Sequence, residues 1–176
     1  TKPIVATALL RLKSEGWLEL DAPIRRYLPG LRLADEAVAR QVTLRHVLTH
    51  TAGWVGDYFD DFGPGADALA MMVEKLADLP QLTPLGEIYS YNNAGFYLAG
   101  RVIEVITGQT FEKAMKELVL QPLGMEMSFF FAEEIITYRV AAGHEVVNEA
   151  QRVARPWALG RAAFPAGGLV STVKDL

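Results

Sequence analysis

The sequence predicts a mostly helical chain carrying one β-hairpin, and three observations lead there. Apolar residues recur at three- and four-residue spacing in segments that glycine or proline brings to a stop. A period-two pattern occurs once, between Tyr138 and Arg155. The first helix, Ile4-Val5-Ala6-Thr7-Ala8-Leu9-Leu10, is apolar nearly all round, and a helix without a polar face is a buried one.

Taken in order, Pro3 sits near the start of the first helix and Ser14-Glu15-Gly16 ends it. Trp17 to Pro23 reads as an extended turn leading to Ile24–Pro29. Thr43 is the expected N-cap of a short helix from Leu44 to His50. Thr51 to Gly56 is a glycine-punctuated loop, continued by Asp57-Tyr58-Phe59-Asp60-Asp61-Phe62, where aromatics meet acids. Asp67 is the expected cap of an amphipathic helix with Leu69, Met72, Val73 and Leu76 inward. Gly95 to Ile106 is the next, with Leu98, Val102, Ile103 and Ile106 as its stripe, Arg101 and Glu104 toward water, and Gly108 closing it. Thr110 caps another, with Phe111, Ala114 and Leu118 inward, stopped at Gln121-Pro122-Leu123-Gly124. Tyr138–Val147 and Gln151–Arg155 are the hairpin strands, turning at Asn148-Glu149-Ala150. Ser171 is placed as the cap of a last helix.

The 176 residues include 17 basic and 21 acidic side chains, a net charge of −4 with the signs interspersed. No basic stripe exists, so nucleic-acid binding loses its electrostatic footprint. No apolar run is long enough to span a bilayer. Without cysteine the chain has no disulfide, thiol nucleophile or zinc-thiolate site. The first residues, Thr1-Lys2, lack a methionine and lie at the foot of a helix, and the chain reads as an internal piece of a larger enzyme.

The chemistry concentrates in Tyr89-Ser90-Tyr91-Asn92-Asn93, a polar turn running into an apolar helix. It sets a phenol, Tyr91, two residues before a carboxamide, Asn93, which suits a site that delivers a proton and binds a carbonyl. The competing reading packs the tyrosine on the core and uses Asn93 as a helix cap. Lys2 stands in the first turn of an apolar helix, where the helix dipole disfavours a cation, so it is expected to be paired or functional. His46 and His50 have the i, i+4 spacing of a metal pair but no third ligand, and we read them as structural. No Gly-x-Ser-x-Gly elbow occurs.

Together these stretches resemble the serine β-lactamase and penicillin-binding-protein superfamily, in its class C-like branch of esterases, D-amino-acid peptidases and β-lactamase-related proteins. Thr1-Lys2-Pro3 resembles the end of the Ser-x-x-Lys motif. Leu44–Gly53 resembles the "LLTHTSG" helix and loop, and Tyr91-Asn92-Asn93 the Tyr-x-Asn motif. Gln121–Met125 resembles the "PLGM" turn, and Gly167–Thr172 with Asp175-Leu176 the "GGL-STxxDL" segment. The motifs fall in the family's order along the whole chain.

The resemblance implies an α/β, β-lactamase/transpeptidase-like fold, of which residues 1–176 form a partial domain: most of the helical subdomain and almost none of the sheet. It implies a serine hydrolase acting on a small-molecule ester, amide or peptide through an acyl-enzyme, with no metal and no cofactor. Its nucleophilic serine stands three residues before Lys2, and its third motif beyond Leu176, so this sequence holds neither. Lys2 or Tyr91 would accept the serine proton, and both assignments fit. Asn93 would hold the substrate carbonyl, and Gly167 and Gly168 would border the substrate. Trp54, Tyr58 and Phe59 either wall the acyl pocket or form a loop cluster packing on the helical subdomain, and both readings stand equally. Asn92, where a small residue is usual, and a tyrosine-free Ala166-Gly167-Gly168 favour an esterase or peptidase over a β-lactamase. The competing class is a non-catalytic relative used for binding or assembly, and a third reading is an independent helical interaction module.

Overall fold

The computed structural model describes residues 1–156 and 159–176. Its helices are α1 (Lys2–Ser14), α2 (Glu36–Gln41), α3 (Leu44–Leu48), α4 (Ala68–Glu74), α5 (Asn93–Thr107), α6 (Phe111–Met115), α7 (Ala132–Ile135) and α8 (Phe164–Gly167). One antiparallel hairpin, β1 (His144–Val147) with β2 (Ala150–Val153), lies between α7 and α8. Asn148 and Glu149 make its two-residue turn, both at positive φ. The predicted first strand is shorter than expected because the ladder pairs only His144–Val147 with Ala150–Val153, and Gly143 adds a single bond from the Ala154 N–H (2.9 Å).

The organising element is α5. Every residue from Ala94 to Gly100 is buried, and α1, α3, α4, α6 and α8 all pack against it. Gly108, at φ +66, ends it in the left-handed conformation expected of a closing glycine. Close packing against α8 depends on Gly100, where a Cβ would stand 2.4 Å from Pro165 Cγ. The predicted inward residues of the other helices, among them Leu69, Met72, Leu76, Phe111 and Ala114, are in the core.

Several expectations are corrected. Helix α1 is not buried all round: Val5, Ala8, Leu9 and Leu12 face the core, while Thr7 and Leu10 face solvent. Glu104 is not at the surface. Residues 108–110 turn the chain back, and its carboxylate accepts from the Phe111 backbone N–H (3.0 Å) and from Arg101 (2.8 Å). It thereby satisfies an orphan donor at the start of α6, where Thr110 makes no side-chain cap. Burial pushes its carboxyl pKa up, against the pull of Arg101 and the Phe111 N–H. Asp67 likewise stands at its N-cap position without a side-chain bond. Ser171 caps no helix: residues 173–175 form a turn, and the Ser171 hydroxyl pairs with Ser128 (2.7 Å). Asp175 reaches across to the Met127 N–H and the Ser128 hydroxyl, tying this segment down (2.8 Å each). The short helix α2, absent from the sequence reading, is capped by Asp35, which accepts from Ala37 and Val38.

Candidate active site

Lys2 is the first residue of α1, and Pro3 after it suits a first helical turn. With α1 anchored by Val5 and Leu9, its ammonium is aimed at the entrance of α5. It donates to the Tyr91 hydroxyl oxygen (2.5 Å), to Asn93 Oδ1 (2.7 Å) and to the Ala166 carbonyl in α8 (2.8 Å). An ammonium has three N–H donors, and all three are engaged. The Phe96 ring lies 5.3 Å from the nitrogen and adds a cation–π contact. Three distant stretches, residues 2, 91–93 and 166, thus converge on one charge.

The Tyr91–Asn93 segment is held from behind. Asn92 is 1% exposed, its Oδ1 accepting from the Gly95 N–H (2.7 Å) and its Nδ2 donating to the Trp54 carbonyl (2.8 Å). Asn92 therefore caps α5, and the reading of Asn93 as the cap is corrected. The side chain that was expected to alter the substrate's surroundings is inside the protein. Ser90 N–H donates to the His50 carbonyl (2.8 Å), and Asn92 N–H to His50 Nδ1 (2.9 Å), which places the ring proton on Nε2. His50 sits at φ +58, a left-handed conformation uncommon outside glycine, which is why α3 stops at Leu48. Its ring stacks on Tyr91 at 4.7 Å. Desolvation, then the Lys2 charge, pull its pKa down.

The loop after α3 reaches the same place. The Gly56 carbonyl accepts from the Asn93 and Ala94 N–H groups (3.1 and 2.9 Å), and a Cβ on Gly56 would meet the Tyr91 carbonyl at 2.6 Å. Asn93 Nδ2 donates to Asp57 Oδ1 (2.8 Å). Tyr97, inside α5, donates to the Tyr58 carbonyl (2.7 Å), so the backbone is pinned on both sides of Asp57. Burial and the nearby Asp57 charge push the Tyr97 phenol up.

Of the residues expected at the site, Lys2, Tyr91 and Asn93 are in contact, and Tyr91 is 54% exposed on an open face. Trp54 is 2% exposed in the core, so its ring walls no pocket, and its backbone carbonyl is what serves the site. Tyr58 is half-buried with its hydroxyl on Asp60 (2.8 Å), and Phe59 is exposed. Gly167 ends α8 and Gly168 closes against Phe164, both next to the Ala166 carbonyl that holds Lys2. Sequence reasoning missed Ala166 and Asp57, and it read His50 as structural without placing it beside Tyr91. A backbone carbonyl leaves no sequence signal, and the left-handed His50 leaves none either. Asp57 was legible only as one acid in an acid–aromatic loop. The i, i+4 histidines do not share a ligand: His46 bonds Thr43 at the start of α3, and among the described residues no cluster could hold a metal ion. The largest cavity described, about 530 Å³, lies beside Phe129, Phe130 and Met125 and contains none of these groups. Its guanidinium, Arg161, is committed to Glu112. Converging polar chemistry, not cavity size, marks the site.

The description of one protein family, Beta-lactamase, matches residues 1–176. The chain belongs to the beta-lactamase family. It is 36% identical to penicillin-binding protein 4 of Amycolatopsis lactamdurans over 99% of this chain and 46% of that protein. It is 40% identical to the esterase EstB of Burkholderia gladioli over 76% of this chain and 38% of that protein. The octameric penicillin-binding protein homologue from Pyrococcus abyssi superimposes with a TM-score of 0.75 at 29% identity, over 99% of this chain and 41% of that one. This beta-lactamase-family chain thus spans less than half the length of the relatives it matches, and its fold is the helical part of the β-lactamase/transpeptidase-like architecture.

Proposed function

We propose that the full-length protein is a serine hydrolase that cleaves ester, amide or peptide bonds through a covalent acyl-enzyme, and acts as an esterase or peptidase rather than a β-lactamase. The observation that carries this is the Lys2 ammonium held between the Tyr91 hydroxyl and Asn93 Oδ1. In the proposed reaction a serine three residues before Lys2, one helical turn away, attacks the scissile carbonyl. Its proton passes to the Tyr91 oxygen and on to the leaving group, and water later releases the acyl group by the reverse relay. With its three N–H donors engaged, Lys2 works as a fixed cation beside Tyr91, offsetting the charge that develops there during transfer. The similarity to an esterase at 40% identity and the tyrosine-free Ala166-Gly167-Gly168 segment support the choice of ester or amide.

The test uses the full-length protein with a fluorophosphonate probe, p-nitrophenyl butyrate and nitrocefin. Labelling of one serine, and a kcat/KM for the ester above that for nitrocefin, are expected. A clear advantage for nitrocefin would reverse the choice between esterase and β-lactamase. Absence of both labelling and turnover would return the protein to the binding or assembly class.

A further inference from the structure

We propose that Asp57 is a specificity-determining residue of this site, selecting acyl groups that carry a protonated amine beside the scissile carbonyl. The inference rests on the serine-hydrolase reading for its substrate, and on the geometry around Asn93 for its chemistry.

The Asn93 carboxamide cannot turn over. An ammonium only donates and an ionised carboxylate only accepts, so Lys2 on one side and Asp57 on the other fix Oδ1 toward the lysine and Nδ2 toward the aspartate. A flipped amide would face donor to donor and acceptor to acceptor. The proton donor of Asn93 is therefore spent in part on the protein's own carboxylate. Asp57 is exposed, takes part in no ion pair among the described residues, and has an Oδ2 with no hydrogen bond there. The Lys2 ammonium, on the other side of Asn93, gives its three N–H donors to Tyr91, Asn93 and Ala166.

A ligand group that reaches the free Oδ2 of Asp57 thus meets a negative charge, on the side of the Asn93 carboxamide away from Lys2. The backbone on both sides of Asp57 is held, because the Gly56 and Tyr58 carbonyls are bonded to α5, and the carboxylate itself is kept in place by Asn93 Nδ2. An acylamino carbonyl approaching Asn93 puts an oxygen beside a carboxylate. An ammonium in the same place gains a charge-assisted bond. On an open face the attraction of unit charges is close to its value in water. That corresponds to about a tenfold preference, where a closed pocket would give far more.

The experiment compares kcat/KM of the full-length protein on ethyl esters of alanine, isobutyric acid and N-acetylalanine, in both configurations of the alanine compounds. Alanine and isobutyrate differ by an ammonium in place of a methyl. The ammonium itself activates the ester carbonyl, so the deciding quantity is the alanine-to-isobutyrate ratio in wild type divided by the same ratio in Asp57→Asn, from which intrinsic reactivity and a uniform loss of folded enzyme both cancel. That quotient is expected to be about ten, and the corresponding quotient for the uncharged N-acetylalanine ester at or below one. An alanine quotient near one overturns the proposal. Should no ester be turned over, the hydrolase reading fails, and binding decides this one separately. Titration of the Asn93 side-chain amide resonances with alaninamide and isobutyramide should then give about tenfold tighter binding of alaninamide, and equal affinities would overturn it. The wild-type titration stands even where the variant does not fold.

Discussion

Two adjacent asparagines divide their work by which way each side chain points. Asn92 faces inward and caps α5, while Asn93 lies between Lys2 and Asp57. Tyr91 completes the arrangement through its oxygen, which accepts from Lys2, while its ring stacks on His50 and the residue is 54% exposed. In the proposed reaction, removing that oxygen removes the proton carrier without opening the core. Tyr91→Phe in the full-length protein is expected to lower kcat/KM by about a hundredfold, the usual size of a lost acid–base group. The thermal midpoint should stay near wild type, since only an exposed hydroxyl is lost. Wild-type rates in that variant would show that the tyrosine serves packing.

At the scale of elements, α5 and α8 carry the site together. The entrance of α5 presents Tyr91 to Asn93, and α8 presents the Ala166 carbonyl that holds Lys2. Their approach depends on Gly100, whose hydrogen leaves room for the Pro165 ring. A Cβ there would stand 2.4 Å from Pro165 Cγ and 2.8 Å from its Cβ, and a proline ring has little freedom to yield. Gly100→Ala is therefore expected to destabilise the fold by about 1–3 kcal/mol despite alanine's better helix propensity. It should also raise the mobility of Lys2 by shifting its third acceptor. Urea unfolding checks the first effect, and an unchanged or higher midpoint would show that the helices separate at no cost.

For the molecule as a whole, the response to acid is set by groups that tertiary packing has moved from their ordinary ranges. Burial is the largest cause of the lowered pKa of both His46 and His50, and at His50 the Lys2 charge adds to it. The unfolded chain then binds more protons than the folded one between the depressed folded values and the ordinary 6.5. Their stabilisation is fully present above about pH 6.5 and is lost as the pH falls through the folded values. Glu104, raised by burial, moves the opposite way and offsets part of the loss in more acid solution. Glu36, held at about 2 by Arg25 and Arg40, keeps its charge until far lower pH. The urea midpoint should accordingly decline below about pH 6.5, and decline less in His50→Asn, which keeps an acceptor near Nδ1 and tolerates the left-handed backbone. Equal slopes in the two proteins would remove His50 from this account.

The family and its motifs were legible because they are local. Lys2 before an apolar helix, Tyr91 and Asn93 at a helix entrance, and the apolar stripe and closing glycine of α5 follow from spacing and side-chain chemistry alone. The sequence even carried the site's three principal groups, although 89 residues separate Lys2 from Tyr91. What it did not carry was direction. Asn92 and Asn93 are chemically identical, and only the packing of the Trp54 carbonyl behind one and Lys2 before the other tells the cap from the cleft residue. Glu104 reads as a surface charge until α6 folds back on α5 and brings an unpaired N–H to it. Trp54 reads as a pocket wall until the loop turns its ring into the core. Asp57 is one acid among several until the Gly56 carbonyl docks on α5 and sets its carboxylate on Asn93. Periodicity and residue type decide what a segment can become, whereas the partner of each polar group depends on contacts between distant residues, which only the folded chain specifies.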